Sequence, residues 1–372
     1  MKKLGFGLMR LPSLDSKDSS RIDMEETKRM VDAFLERGFT YFDTAWMYCG
    51  FQSENATREA LVERHPRDSY TLATKLHAGY LKSADDRDRI FEEQRKKTGV
   101  AYFDYYLLHA ISRELYPKYL EYDCFSWIIE KKKQGLIRHA GFSFHDDAEF
   151  LDRVLTEHPE MEFVQLQINY LDWESEGIQS RKCYEVAVKH GIPVIVMEPV
   201  KGGTLASVPA AAEHLLRAAH PDWSVPSWAI RFAAGLDNVM VVLSGMSNME
   251  QLLDNTGYMQ AFEPLTPEEQ AVVARVTDVI NSGIAIPCTG CAYCVDGCPM
   301  DIPIPTYFSL YNADLQEADG KDWKPQEAYY DNPSIARGKA SACIGCGHCE
   351  GVCPQHLPII AHLKSVSEHF EA

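Results

Sequence analysis

The first 258 residues alternate short apolar segments with longer stretches that have a helical pattern. Strands that alternate with helices form parallel sheets, and eight regular units favour closure into a (β/α)8 barrel. A doubly wound open sheet would alternate in the same way, but no glycine fingerprint of a dinucleotide-binding sheet is recognisable. We therefore predict an α/β protein built on a barrel. The eight strand-like segments are 4–11, 41–45, 70–76, 104–110, 139–144, 163–169, 193–200 and 239–246.

The chain is longer than one barrel requires. Its 372 residues exceed the roughly 250 of a typical barrel by the size of a small second domain. After residue 258 the pattern changes to one helix that opens with a Thr-Pro-Glu-Glu capping sequence and leads into a cysteine-rich region. We predict a barrel domain over 1–280 and a second domain over 281–372.

Composition and charge restrict the function classes. Hydrophobic residues make up 45% of the chain, and no apolar run approaches the roughly 18 residues of a membrane span. The short apolar start is interrupted by Arg10, which does not fit a signal peptide, so we expect a cytoplasmic protein without a membrane segment. The net charge of −17 disfavours binding to nucleic acid, because phosphate would be repelled.

Eight of the eleven cysteines fall into two runs with the same spacing, C-x2-C-x2-C-x3-C-P. This spacing resembles that of bacterial ferredoxins, in which three close thiolates hold one [4Fe–4S] cluster and the fourth reaches the other cluster. Zinc is the competing ligand for C-x2-C thiolates, but two identical four-cysteine runs favour two clusters. The resemblance implies two ligand sets. They are Cys288, Cys291, Cys294 and Cys353, and Cys343, Cys346, Cys349 and Cys298.

The interval between the two cysteine runs is longer than a minimal ferredoxin needs. Within it the segment IPTYFSLYNADLQ (304–316) has a helical pattern. We therefore expect a small, mostly helical ferredoxin-like domain, similar to the dicluster modules found appended to some dehydrogenases.

Polar side chains stand where three successive predicted strands end. Asp43 and Tyr48 belong to the second strand and its loop, Lys75 to the third strand and His109 to the fourth. In barrels of this kind chemistry takes place at the C-terminal ends of the strands. A tyrosine can protonate a substrate oxygen if an ammonium lowers its pKa and a carboxylate holds that ammonium, while a histidine orients the carbonyl.

The segments FDTAWMY, ATK and LLH resemble the catalytic tetrad of the aldo/keto reductases, and the resemblance covers most of residues 1–260. It implies that Tyr48 is the general acid/base, Lys75 its pKa-lowering partner, Asp43 the partner of Lys75 and His109 the carbonyl-orienting group. Alone, each of the four would be an ordinary cap, packing residue or surface charge.

The resemblance also implies a nicotinamide cofactor. The family's Ser-Asn pair is represented by Ser143 followed by Phe144, and Met197 replaces the aromatic residue that stacks on the nicotinamide. The segment SGMSNMEQLLDN resembles the family's adenosine-binding segment but has no arginine or lysine, so NADPH and NADH both stay open. The residues expected to contact the nucleotide are Ser143, Gln167, Lys201, Gly202, Gly245, Ser247, Gln251 and Asn255.

Three functions remain open from the sequence. The first is an oxidoreductase that interconverts a carbonyl and an alcohol with a nicotinamide, with two clusters for electron transfer. This function requires a step between two-electron and one-electron chemistry, which a flavin usually mediates, and no flavin motif is recognisable. The second is a reductase with structural or redox-sensing clusters. The third is an electron-transfer or docking protein whose barrel has lost activity, with a ferredoxin or flavoprotein as candidate partner.

Overall fold

The computed structural model describes residues 2–15, 18–113, 115–175, 178–315, 330, 331, 334 and 337–371. Its strands form a closed barrel in which every neighbouring pair is parallel and β8 closes onto β1. The predicted (β/α)8 architecture is confirmed. The strands are β1 (Leu4–Gly7), β2 (Tyr41–Asp43), β3 (Thr71–Leu76), β4 (Phe103–Ile111), β5 (Ile137–Phe144), β6 (Phe163–Gln167), β7 (Val194–Met197) and β8 (Val239–Ser244).

Helices follow the strands around the barrel and continue into the cysteine-rich region. Within the described residues, helices α1–α8 are Met24–Glu36, Tyr48–Phe51, Ser53–Thr57, Asp85–Thr98, Tyr116–Glu121, Cys124–Lys133, Ala148–Glu157 and Ser180–Lys189. Helices α9–α15 are Ala210–Ala219, Val225–Ala234, Met249–Met259, Pro267–Gly283, Ile304–Leu315, His348–Gly351 and Ile359–Phe370. A π-helical turn spans Arg58–Val62, and short 3-10 turns span Leu8–Arg10, Arg67–Ser69, Ala78–Tyr80, Lys201–Ala206 and Ala340–Ala342.

Large rings and glycines share the inside of the barrel. Tyr105 packs against Tyr41 and Phe163, with ring centroids 5.3 and 5.1 Å apart. A Cβ atom on Gly141 would lie 2.4 Å from the Phe163 carbonyl oxygen, and one on Gly5 would lie 2.8 Å from the Val241 side chain. Glycine on two strands therefore makes room for the rings that fill the interior.

The first helix shows how the outer layer is held. Asp23 caps α1 by accepting a hydrogen bond from the backbone N–H of Glu26 at 3.0 Å. The buried face of α1 includes Phe34, whose ring lies 5.6 Å from Phe6 of β1 and 5.3 Å from Phe42 of β2. Burial of such apolar faces fixes each helix on its strands.

Contacts divide the chain into two compact units. The first comprises 1–174, 179–199 and 227–266, and the second comprises 175–178, 200–226 and 267–372. The predicted helix at 304–316 appears as α13, although Gln316 lies outside the described residues. The domain boundary near residue 280 stays a prediction.

The second unit has its own hydrophobic core. Tyr307 and Phe308 of α13 and Leu363 of α15 are buried in it, together with Ile302. Cys294 of the first run and Cys349 and Cys353 of the second run belong to the same core. In the part of the chain that the structure describes, no helix is both long and apolar enough to cross a membrane.

Candidate active site and cysteine sites

The four residues expected to form the tetrad lie on one rim of the barrel. Asp43 is the last residue of β2, Lys75 is next to last in β3, and His109 lies near the end of β4. Tyr48 begins the short helix α2 that follows β2. Because parallel strands end at the same edge, the fold brings all four together.

The Lys75 ammonium is the centre of the group. Its Nζ atom donates to Asp43 Oδ1 at 2.5 Å and to the Thr44 carbonyl oxygen at 2.8 Å. Asp43 also receives a longer hydrogen bond from Gln165. Lys75 and Asp43 are both almost completely buried, so each charge depends on the other for compensation.

Burial acts on both members of this ion pair. It lowers the pKa of Lys75 and raises the pKa of Asp43, and in each case the charge of the partner opposes the shift. Two direct hydrogen bonds to the ammonium favour its charged form. The pair is therefore held as a fixed dipole below the site rather than as a source of protons.

Tyr48 lies over this pair and beside His109. The Lys75 Nζ atom is 4.8 Å from the centroid of the Tyr48 ring, and the Tyr48 and His109 rings meet edge to face at 5.8 Å. Burial, with the charges of Asp43 and Glu198, raises the pKa of Tyr48 well above its ordinary value. The phenol is therefore protonated, and the pKa-lowering role expected for Lys75 stays a prediction.

His109 is held as a neutral imidazole. Burial lowers its pKa well below the ordinary value, and the positive charge of Lys75 acts in the same direction. Within the described residues, its buried Nδ1 atom has no hydrogen-bond partner. A neutral imidazole with an uncommitted polar atom at the rim is suited to hydrogen bonding with a ligand.

The sequence prediction missed a buried carboxyl group behind Lys75. Glu54 Oε1 accepts hydrogen bonds from Thr74 Oγ1 at 2.8 Å and from Gln94 Nε2 at 2.9 Å. The same Gln94 nitrogen donates to the carbonyl oxygen of Lys75 at 2.9 Å. Burial raises the pKa of Glu54 to about 7. In the sequence Glu54 is one glutamate in a polar stretch after Tyr48, which sequence patterns cannot distinguish from a surface residue.

His77 and an aromatic group extend the site beyond the tetrad. The His77 ring lies 5.4 Å from His109 and 5.6 Å from Tyr80. Trp46 packs edge to face against Tyr80 and Phe51, at 4.9 and 5.0 Å. Tyr80 and Phe51 are each 37% exposed, so an apolar surface lies open next to the four rim residues.

Two of the expected nicotinamide contacts also organise the barrel rim. Ser143 Oγ accepts a hydrogen bond from the backbone N–H of Ala110, the residue after His109, at 2.7 Å. Gln167 lies at the end of β6 and donates to Asp172 Oδ2 at 3.0 Å. Ser143 therefore holds the strand end that carries His109.

The segment after β8 lies next to the loop after β1 because the barrel closes there. The side chain of Arg10 packs against Gly245, where an added Cβ atom would lie 3.2 Å from Arg10 Cδ. Ser247 Oγ donates to the carbonyl oxygen of Arg10 at 2.9 Å, and the Ser247 N–H donates to Gln251 Oε1 at 2.7 Å. Asn255 is buried and donates to Ser244 Oγ.

Arg10 places a cation next to the segment after β8, which has no arginine or lysine of its own. Its side chain is exposed, as are Gly245, Ser247 and Gln251. Sequence reasoning missed Arg10 because the residue is more than 200 positions from the segment. The pairing of β1 with β8 was the signal that could have brought the two together.

The structure places Lys201 and Gly202 in the second unit, against the cysteine-rich region. The Lys201 Nζ atom donates to Gln355 Oε1 at 3.3 Å, and Lys201 is only 2% exposed. A Cβ atom on Gly202 would lie 2.4 Å from the carbonyl oxygen of Thr289. The positive charge of Lys201 acts on the neighbouring Cys288. Their expected contact with a pyrophosphate stays a prediction.

The eight run cysteines form two groups, each drawn from both runs. Cys294 interacts electrostatically with Cys291, Cys288 and Cys353. A cavity in the second unit is lined by the other four cysteines of the two runs, which are Cys298, Cys343, Cys346 and Cys349. This is the division that the ferredoxin resemblance implies.

The geometry of a single-ion site provides a comparison for the cysteine groups. Within the described residues no three His, Cys, Asp or Glu side chains converge closely enough to hold a single metal ion. Sulfurs around one zinc ion would be about 3.8 Å apart, given zinc–sulfur bonds of about 2.3 Å in a tetrahedron. The thiols are neutral: burial raises the pKa of Cys288 to about 11, of Cys294 to about 12 and of Cys349 to about 11. Two groups of four cysteines match the ligand count of two [4Fe–4S] clusters.

Comparison with known proteins identifies both parts of the chain. Residues 3–278 match the aldo/keto reductase family, and residues 287–357 match a 4Fe-4S dicluster domain. An uncharacterised oxidoreductase of Schizosaccharomyces pombe is 27% identical over 268 residues, which cover 68% of this chain and 80% of that protein. An aldo-keto reductase of Mycolicibacterium smegmatis is 29% identical over 212 residues, covering 56% of this chain and 67% of that protein.

Solved structures share the barrel. The holo form of an aldo-keto reductase from Bacillus halodurans has a TM-score of 0.59 and 24% identity, covering 74% of this chain and 91% of that one. An aldo-keto reductase from Klebsiella pneumoniae, solved in complex with NADPH, has a TM-score of 0.58 and 19% identity, covering 74% and 90%. At these identities the structures establish the fold. Since the family match spans most of the sequence, the chain belongs to the aldo/keto reductase family and carries a 4Fe-4S dicluster domain after its barrel.

Proposed function

We propose that the barrel interconverts a small-molecule carbonyl and its alcohol with a nicotinamide cofactor. The observation that carries the proposal is the convergence of Asp43, Lys75, Tyr48 and His109 on one rim. The buried Lys75–Asp43 pair at 2.5 Å, with the Tyr48 ring over the ammonium, is costly to bury and has no structural need at a strand end. A catalytic use accounts for it.

The residues divide the chemistry between them. The nicotinamide would supply a hydride to the carbonyl carbon. Tyr48, protonated because its pKa is raised, gives its proton to the carbonyl oxygen, which completes the alcohol. His109 is neutral and hydrogen-bonds the same oxygen. The Lys75 ammonium stabilises the phenolate that remains until solvent returns the proton, and Asp43 keeps the ammonium in place.

The nucleotide would extend from this rim towards the end of β8. Gln167 and Ser143 lie at the ends of β6 and β5, and Ser247, Gln251 and Asn255 follow β8. Arg10 beside Gly245 offers a guanidinium to a 2′-phosphate. This arrangement favours NADPH over NADH.

We further propose that the eight cysteines hold two [4Fe–4S] clusters that transfer electrons. One is bound by Cys288, Cys291, Cys294 and Cys353. The other is bound by the four cysteines that line the cavity of the second unit. Since a cluster passes one electron at a time, a ferredoxin or a flavoprotein is the class of partner that suits it.

Nicotinamide oxidation tests the reductase. The anaerobically purified chain is mixed with NADPH or NADH and a panel of aromatic and aliphatic aldehydes and ketones, and the loss of nicotinamide absorbance is followed. We expect carbonyl-dependent oxidation, faster with NADPH. Absence of both nucleotide binding and turnover across the panel would overturn the proposal and leave an iron–sulfur docking protein.

A further inference from the structure

We propose that Lys201 sets the reduction potential of the cluster bound by Cys288, Cys291, Cys294 and Cys353. The inference rests on the proposal that the chain holds two clusters and goes beyond it. It assigns to Lys201 a role in the cysteine-rich region in place of a contact with the nucleotide.

The first support is the position of the ammonium. Lys201 is 2% exposed, which is unusual for a lysine, whose charge normally reaches water. Its Nζ atom is held by Gln355 Oε1 at 3.3 Å, and Gln355 is itself buried and lies two residues after Cys353. A buried cation with a directional hydrogen bond is a fixed charge rather than a mobile one.

The second support is the backbone around it. Lys201 has a φ of 47°, and Gly202 and Gly203 follow with φ of 64° and 106°. A side chain at Gly202 would collide with the carbonyl oxygen of Thr289, the residue after Cys288. Only a glycine allows this close approach, so the turn is built to place Lys201 against one cysteine run.

The third support is that the buried charge of Lys201 acts on the cysteine group that contains Cys288. Lys201 acts electrostatically on Cys288, together with the neighbouring thiols Cys291 and Cys353. The second group has a cation of another kind near it, Arg337, which interacts with Cys298 but is partly exposed and paired with Asp301. The two sites therefore differ by a buried positive charge.

The electrochemical consequence follows from charge alone. Reduction adds one electron to a cluster that already carries four thiolates, without a proton. A fixed cation favours the reduced form, because the attraction grows with each negative charge and is weakly screened in a buried site. The cluster beside Lys201 is therefore the easier of the two to reduce and would receive electrons first.

The test uses the full chain with reconstituted clusters. Iron and sulfide are measured first, which decides separately whether two clusters are present. The wild type, Lys201→Met, Lys201→Arg and the exposed control Lys364→Met are then titrated with dithionite and followed by electron paramagnetic resonance. We expect Lys201→Met to lower the reduced-to-oxidised ratio of one cluster at least tenfold at a given potential, a shift of about 59 mV. Lys201→Arg and Lys364→Met should leave both clusters close to wild type.

Two unshifted clusters in a fully loaded Lys201→Met variant would overturn the inference. If that variant does not load, Lys201→Gln is measured in its place, because its amide can still pair with Gln355. If neither neutral variant loads while Lys201→Arg does, the charge is required at the site, which supports the inference. Failure of Lys201→Arg to load as well would show a steric requirement and would contradict it. Nucleotide affinity unchanged in Lys201→Met would complete the assignment.

Discussion

The barrel rim and the cysteine groups are both built around buried ionisable residues, but only the rim has its charges compensated by the protein. At the rim, Lys75 has Asp43 and a backbone carbonyl as direct partners. In the second unit, burial raises the pKa of Cys288 and Cys294 to about 11 and about 12, which keeps these thiols neutral. The charges of the rim are paired by protein groups, whereas the buried thiols become thiolates when a metal binds.

This difference indicates that the second unit depends on its ligand more than the rim does. Strand ends hold the rim residues in fixed positions. A substitution at one of them should therefore change either the free energy of unfolding or turnover, without dispersing the other residues. Neutral thiols bind iron only when iron replaces their protons. Loss of a cysteine ligand should therefore lower the iron content more than it lowers the stability of the protein.

The largest effect is expected from removing the fourth ligand of one cluster. Cys298→Ala removes one of the four cysteines that line the cavity. It leaves the three close cysteines of the second run, Cys343, Cys346 and Cys349, in place. We expect iron to fall from about eight to about four atoms per chain, because each site holds one cluster. Iron, sulfide and paramagnetic resonance of the reduced protein are measured.

Cys183→Ala is the matched control, since Cys183 is buried and stands apart from both runs. Its iron content should equal that of the wild type. Full iron in Cys298→Ala would show that Cys298 is not a required ligand of either cluster. Because neutral thiols release protons when iron binds, cluster assembly should also be faster at higher pH.

The ion pair at the rim gives the next largest effect. Asp43→Leu leaves the Lys75 ammonium buried beside an apolar side chain, which should cost about 3–5 kcal/mol in the free energy of unfolding. The double variant Asp43→Leu/Lys75→Met should recover most of this loss, because no charge is then buried. Urea unfolding of both variants is compared with the wild type.

Lys189→Met, which breaks an exposed ion pair with Asp152, is the control and should cost less than about 1 kcal/mol. A double variant as unstable as Asp43→Leu would mean that the rim is held by shape rather than by compensated charge. The contrast between the two regions would then lose its electrostatic basis.

Glu54 provides a third, pH-dependent test. Its pKa is about 7 in the folded protein and 4.5 in a model peptide, so between these values the folded state holds a proton that the unfolded state has lost. Stability is therefore full below pH 4.5 and declines as pH rises through 7, by up to about 3 kcal/mol. Glu54→Gln should remove this decline, measured as Tm between pH 5 and 8. An unchanged pH slope, equal to that of the exposed control Glu263→Gln, would contradict the burial argument.

The smallest effect concerns the choice of nucleotide. Arg10→Met should weaken NADPH binding about tenfold, or ~1.4 kcal/mol, and leave NADH binding nearly unchanged. Nucleotide fluorescence gives both affinities, with the exposed Arg153→Met as control. Equal weakening of both nucleotides, or of neither, would place the 2′-phosphate elsewhere.

The sequence predicted what depends on local pattern. Eight apolar runs located the eight strands, and β3 and β5 were found within two residues of their ends. The ends of consecutive parallel strands share an edge, so the sequence alone predicted that Asp43, Lys75 and His109 lie close together. The cysteine runs carried their own spacing and needed no tertiary information.

What the sequence did not predict depends on contacts between distant segments. Arg10 reaches the β8 loop only because the barrel closes, and the pKa of Glu54 rises to about 7 only through burial behind β3. The hydrogen bond from the Lys201 ammonium to Gln355 was not predicted either, because the two residues are 154 positions apart. Neither burial nor such long-range pairing is encoded in a local pattern.

The most direct test of the account compares Tyr48→Phe with Tyr105→Phe in samples whose iron content is measured alongside turnover. Tyr105 also belongs to the barrel, but its ring packs among Tyr41 and Phe163 inside the strands. We predict that Tyr48→Phe loses about 10²–10⁴-fold in kcat with full iron, whereas Tyr105→Phe keeps both activity and iron. Wild-type turnover in a Tyr48→Phe sample with both clusters loaded would contradict the assignment of the rim as the catalytic site.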